Sequence, residues 1–126
     1  MSTPGAIKRR TLAFAVAVAR RCRTLNSRME GRVLSGQLLR SATSVGANYR
    51  ATCRARSLRE FVAKLGVVIE ECDESLFWIE VLLQLDSERA EVWEPMAREA
   101  HELLSIFVVA RGTARQRLSA RKPRQS

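Results

Sequence analysis

The sequence predicts an all-α fold, an antiparallel up-down-up-down four-helix bundle, on three observations. Apolar residues recur at spacings of three and four over most of the chain, the signature of one face of a helix. Period-two alternation bounded by turn residues does not recur, which argues against strands. Only three prolines interrupt the 126 residues, and proline is the residue a helix interior tolerates least. This length predicts one domain. The bundle is expected over residues 1–118. Residues 119–126, "SARKPRQS", lack apolar periodicity and read as a mobile basic tail.

Helix one is expected at about 6–25, where Ile7, Thr11, Phe14, Val18, Cys22 and Leu25 form one face. "NSRMEG" breaks the pattern, with Gly31 at the boundary. Helix two is expected at about 32–54. At about 100° per residue, Leu34, Leu38, Ser41, Val45, Asn48 and Thr52 fall on one core stripe. Helix three, about 58–85, opens on a capping box in which Ser57 and Glu60 each satisfy a free backbone N–H of the other. Phe61, Leu65, Val68, Cys72, Leu76, Ile79 and Leu83 are its core face. Helix four, about 93–117, carries Val92, Met96, Leu103, Phe107 and Ala110, with a preliminary turn from about Ser87. Pro95 suits its first turn, where a missing N–H costs nothing. Short connections make neighbouring helices antiparallel.

The stretch "SATSVGANYRA", residues 41–51, is rich in residues that are poor in helix interiors. The core stripe nevertheless passes through it in phase, so it is helix. It lacks the Gly-x-x-x-x-Gly-Lys-Ser/Thr pattern of a phosphate loop. Ser35, Leu39, Ala42, Gly46, Tyr49 and Cys53 gather in a second sector beside the core stripe. Small side chains there let a neighbouring backbone approach and gain dispersion contacts, so helix two is expected to be gripped on two sides. Asn48 needs a partner, because an unsatisfied buried amide costs about 1–3 kcal/mol. A carboxylate or Lys64 of helix three is the expected partner, and such a buried polar pair can fix register.

Charge is strongly segregated. Residues 1–59 carry +12, residues 60–102 carry −9 and residues 103–126 carry +6, for a net +9. Cationic surfaces attract phosphate backbones or anionic headgroups, or pair with acidic protein surfaces. Arg32, Arg40, Arg50 and Arg54 lie on one side of helix two, opposite its core stripe. Arg20, Arg21, Arg23 and Arg28 add charge near the end of helix one. These eight arginines form the predicted nucleic-acid surface. With little aromatic interleaving, base stacking on single strands is not indicated.

On helix three, Phe77, Trp78 and Val81 lie off the core stripe. A helix apolar on two sides is central in a bundle or meets another subunit, and no helix of four is central. Ser35, Leu39, Ala42, Gly46, Tyr49, Phe77, Trp78 and Val81 are the predicted oligomer contacts.

Several classes are disfavoured. Cys22, Cys53 and Cys72 are odd in number and lack a Cys-x-x-Cys, against a disulfide framework or zinc. Glu70, Glu71, Asp73 and Glu74 lack the Glu-x-x-His pairs of di-iron bundles, since His101 has Arg98 three residues before it. No nucleophile–base–acid set is evident, so no catalytic residue, metal, cofactor or small-molecule substrate is expected. "IKRRTLAFAVAVARR" resembles a secretory leader, but Arg20 and Arg21 follow the apolar run directly. That run is too short to span a bilayer. Cytoplasmic localisation is expected.

Gln37-Leu38, Arg40-Ser41-Ala42, Ser44-Val45 and Ala47-Asn48 resemble the signature of the bacterial four-helix-bundle family, also called ribosomal-RNA intervening-sequence proteins. The likeness continues through residues 54–82 and 99–116. It implies a small antiparallel bundle, and since some members assemble into ring-like homopentamers, a pentamer is the oligomer the resemblance suggests. It also implies kinship with accessory proteins of diversity-generating retroelements, which bind a reverse transcriptase and nucleic acid. Arg50 departs from the pattern, where an acidic residue is frequent. Two functions are carried forward: an oligomeric bundle binding RNA or DNA, and a protein scaffold whose cationic face docks an acidic partner or a neighbouring subunit.

Overall fold

The computed structural model describes residues 2–25 and 29–121. The helices are α1 (Pro4–Cys22), α2 (Met29–Cys53), α3 (Leu58–Leu85) and α4 (Ala90–Ala120), with a single 3₁₀ turn, Ser87–Arg89, before α4. α3 has the limits expected from sequence. Ser57 Oγ accepts the Glu60 N–H at 3.1 Å, while the Glu60 carboxylate lies 3.8 Å from Lys64 Nζ one turn later. α1 starts earlier than expected, because Thr3 Oγ1 caps the Ala6 N–H and Pro4 occupies a first-turn position where its lost donor is harmless. α4 starts at Ala90, which corrects the first-turn placement of Pro95: it is the sixth helical residue, past the turn in which a missing N–H is harmless. The helix runs on to Ala120, so the start of the expected tail is helix. Residues 122–126 of that tail lie outside the described residues.

Cross-helix contacts pair in opposite chain order, which makes neighbours antiparallel. The Cys22 thiol faces the Ser35 carbonyl, and Gly46 lies against Thr11, so α1 and α2 run oppositely. Arg111 Nε donates to the Val62 carbonyl and Cys72 Sγ to that of Ala100, which does the same for α3 and α4. α2 packs against both α1 and α3, and α4 chiefly against α3. Tyr49 and Phe107 meet across the bundle with ring centroids 5.5 Å apart.

The core joins Ile7, Phe14 and Val18 of α1 to Leu38 and Val45 of α2, with Leu65, Cys72 and Ile79 of α3 and Leu103 and Phe107 of α4. The expected faces of α3 and α4 hold through Leu65, Val68, Cys72, Leu76 and Ile79 and through Met96, Leu103 and Phe107, and they shift by one residue only near their ends. Val62 and Leu82 are buried where Phe61 and Leu83 are half-buried, and Trp93 is buried where Val92 is half-buried. Burial pushes the Cys72 thiol up to about 12, so it stays protonated at neutral pH. Burial likewise raises the Cys22 thiol and, first among its causes, the Tyr49 hydroxyl.

The grip on α2 comes from small residues. A Cβ on Gly46 would stand 3.2 Å from Thr11 Oγ1 and 3.3 Å from Thr11 Cβ. Ala42 is fully buried and Tyr49 nearly so. The polar residues of α2 are largely satisfied by α2 itself, the back-bonding open to short side chains. Thr43 and Ser44 donate to the Arg40 carbonyl, and Thr52 Oγ1 donates to that of Asn48 at 2.8 Å. Asn48 corrects the expectation of a helix-three partner: its Nδ2 donates to the Ser44 carbonyl at 2.8 Å. The buried cross-helix polar contact belongs instead to Ser75, whose Oγ donates to Ser41 Oγ at 3.0 Å, while Ser41 donates to the Leu38 carbonyl.

Candidate nucleic-acid interface

The eight predicted arginines do not form one stripe. Arg20, Arg21, Arg23, Arg32, Arg40, Arg50 and Arg54 are all exposed, while Arg28 lies outside the described residues. Arg32 and Arg54 are 22 positions apart, so about 33 Å of helix separates them. The antiparallel pairing puts Arg20, Arg21 and Arg23 beside the Arg32 end of α2 and puts the start of α1 beside Arg50.

Arg40, between the ends, is committed within the chain. Its guanidinium bridges Glu71, at 3.1 Å, and Glu74 of α3. The hydrogen bond to Glu74 leads the causes that raise its pKa. The acidic run of α3 thereby has a structural use: Glu71 and Glu74 neutralise the middle of the basic stripe, and Glu74 also accepts Trp78 Nε1–H at 3.2 Å. Arg10 makes a comparable α1–α4 tie to Glu99 and Glu102.

The two ends differ in electrostatic character. At the Arg20 end, α1 meets the acidic approach to α4: Arg89 donates to the Thr24 carbonyl, and Asp86, Glu88, Glu91 and Glu94 are nearby in sequence. Cations in the last turn of α1 also interact favourably with the helix dipole. The opposite end gathers the start of α1, the α2–α3 turn and the end of α4. Lys8, Ala55, Ser57, Leu58, Arg117 and Arg121 line one groove there, which establishes the convergence. This pole carries Lys8, Arg9, Arg50, Arg54, Arg56 and Arg59, joined by Arg115, Arg117 and Arg121 from α4. Glu60 is the one carboxylate in residues 50–60, and residues 103–121 hold none. Of these nine cations, only Arg50 and Arg54 belong to the predicted surface, and Lys8, Arg9, Arg56, Arg59, Arg115, Arg117 and Arg121 were missed. The run "RATCRARSLR" carries four of the pole's cations, Arg50, Arg54, Arg56 and Arg59, but only the fold brings α4 to them.

The predicted oligomer contacts also divide. Ala42 and Tyr49 are buried within the chain, with Tyr49 against Phe107 of α4, and Gly46 is closed over by Thr11 of α1, so these three are taken up by packing inside the bundle. Ser35 is half-buried beside α1, its hydroxyl turned back to the Gly31 carbonyl. Leu39 remains partly open. Phe77, by contrast, is 55% exposed and packs edge-on against half-buried Trp78 with centroids 5.0 Å apart. Val81 is half-buried on the same side, and Leu85 is exposed one turn further on. Among the described residues, no helix is long and apolar enough to cross a membrane.

The pattern of the 23S rRNA-intervening sequence proteins matches residues 6–108. The chain belongs to this family. Its fold resembles the crystal structure of a protein of unknown function from the S23 ribosomal protein family of Bacteroides thetaiotaomicron. The two are 30% identical with a TM-score of 0.76, over 82% of this chain and 96% of that one. A comparison with curated proteins finds no match. The matched segment spans the first three helices and most of the fourth, and it ends before Arg115, Arg117 and Arg121.

Proposed function

We infer that this intervening-sequence family protein is a non-enzymatic, cytoplasmic homo-oligomer that binds the backbone of RNA or DNA through its basic pole. It would act within a ribonucleoprotein or beside a reverse transcriptase. The observation that carries the reading is the convergence of α1, the α2–α3 turn and α4 on one cation-rich end with almost no carboxylates. Such a surface neutralises phosphates without reading bases, and each phosphate contact releases counterions. The pole replaces the full-length stripe as the proposed surface, since Arg40 is already paired.

The test is fluorescence anisotropy with a random-sequence RNA and the matching duplex DNA across a salt series. Binding is expected to weaken linearly in log–log form, with a slope of about −0.9 per phosphate contact on duplex. Absence of binding at low salt would overturn the reading. Assembly rests on the Phe77, Trp78 and Val81 side of α3, and the family resemblance suggests five copies. Phe77→Asp is expected to reduce the mass in sedimentation equilibrium to that of one chain while leaving the helical circular dichroism intact. An unchanged mass, or a monomeric parent protein, would remove this face from consideration.

The second reading is a scaffold that docks an acidic protein and leaves nucleic acid alone. Arg40 with Glu71 and Glu74, and Arg10 with Glu99 and Glu102, favour it, because this chain already joins surfaces by pairing arginine with two carboxylates.

A further inference from the structure

A groove of about 1160 Å³ runs along the C-terminal half of α4 at the basic pole. Its floor is apolar, formed by Phe61 of α3 with Ile106, Val109, Ala110 and Ala114 of α4. Its charged lining residues are Lys8, Arg117 and Arg121, and no carboxylate lines it among the described residues. Val109 is 69% exposed, so the outer edge of this strip has no intramolecular cover. The cause is length. α4 packs chiefly on α3, and its last turns extend beyond the start of α1, where no fourth helix covers them.

The geometry points to this groove as the docking site for an acidic amphipathic helix from another protein. Size comes first. The α4 wall from Ser105 to Arg121 is about 24 Å long at 1.5 Å per residue, enough for about four turns. A helix is about 10–12 Å across with its side chains, so a trough of this volume seats one side of it. Compact small-molecule sites are typically about 300–1,000 Å³ and enclose most of the ligand, whereas this trough is larger and open along its length. Chemistry comes second. An apolar floor recognises leucine-type anchors at positions i, i+3, i+4 and i+7, and a rim of three cations selects carboxylates flanking that face. Charge also argues against this chain's own end as the occupant: residues 122–126 add Lys122 and Arg124, the same sign as the rim.

This site shares Lys8, Arg117 and Arg121 with the phosphate surface proposed above, and it differs in requiring an apolar anchor that nucleic acid does not supply. The experiment uses three labelled 14-residue peptides with the full-length protein. One has a leucine face flanked by glutamates, one has the same face flanked by lysines, and one has the glutamates without the leucines. Saturable binding of the first alone is expected. It should weaken about tenfold or more with Val109→Asp, the scale of losing one buried anchor, and similarly with the double variant Arg117→Glu, Arg121→Glu. Both changes lie on exposed or rim positions, and circular dichroism checks that the fold persists. Equal binding of the lysine peptide or of the leucine-free peptide would overturn the proposal. So would indifference to Val109→Asp. A change in the protein's own sedimentation mass with Val109→Asp would assign the groove to a second copy instead, and saturable oleate binding with no peptide binding would assign it to a small amphiphile. Either result also overturns the proposal. RNA binding unchanged by the uncharged variant Val109→Ser, which also removes the apolar anchor, keeps this outcome distinct from that of the phosphate surface.

Discussion

Leucine at Ala42 or Gly46 is expected to destabilise the protein by about 1–3 kcal/mol each, the cost of overpacking a closed site. Ala42 has no exposed surface. At Gly46 even a Cβ would press on Thr11 at 3.2 Å, and three further carbons would force α1 off α2. Urea denaturation at neutral pH measures the effect. The two positions are one turn apart on α2, so the double variant should depart from additivity. Gly46→Ala is the sensitive intermediate: the helix-propensity gain of about 1 kcal/mol opposes the contact with Thr11, and a change near zero is expected. Gly36→Ala supplies the control. Nothing lies within 4 Å of a Cβ there, so the propensity gain should appear undiminished. Leucine tolerated at position 46 without loss would show that α1 and α2 do not approach closely.

Reversing Arg50 and Arg54 together to glutamate is expected to lower RNA affinity by on the order of a hundredfold at low salt. It should also flatten the salt dependence by about two contacts, roughly one per arginine. Both side chains are exposed at the basic pole, so stability should be little changed. Arg40→Glu should give the opposite result. It sets a third carboxylate beside Glu71 and Glu74 and should lower thermal stability while leaving the salt slope in place. Anisotropy and thermal melts on the same samples separate the two. If Arg40→Glu alone abolished binding with an unchanged melt, the binding surface would be the middle of α2 and not the pole.

The four helices were legible because each carries its own instructions. Ser57 and Glu60 mark the start of α3, and spacings of three and four fix its face to within one residue. Thr3 and Pro4 mark the start of α1 equally well, but a periodicity count that begins at the first apolar residue passes over them. The one-residue rotation at Trp93 arises because Val92 and Trp93 both suit an apolar face, and the choice depends on where α1 and α3 leave room. The partner of Asn48 is not legible in the sequence, because a wheel shows only which side a residue occupies. It does not show that the carbonyl of Ser44 lies within reach.

By itself, the sequence determined the all-helical class, the two-sided grip on α2 and the segregation of charge, because periodicity, side-chain volume and formal charge are local properties. The tertiary structure alone decided which charges remain available and which apolar residues remain open. Arg40 and Glu74 are 34 positions apart, and Lys8 and Arg117 more than a hundred. Pairing falls off within about a Debye length, so it depends on distance in space, which only the packing of the helices sets.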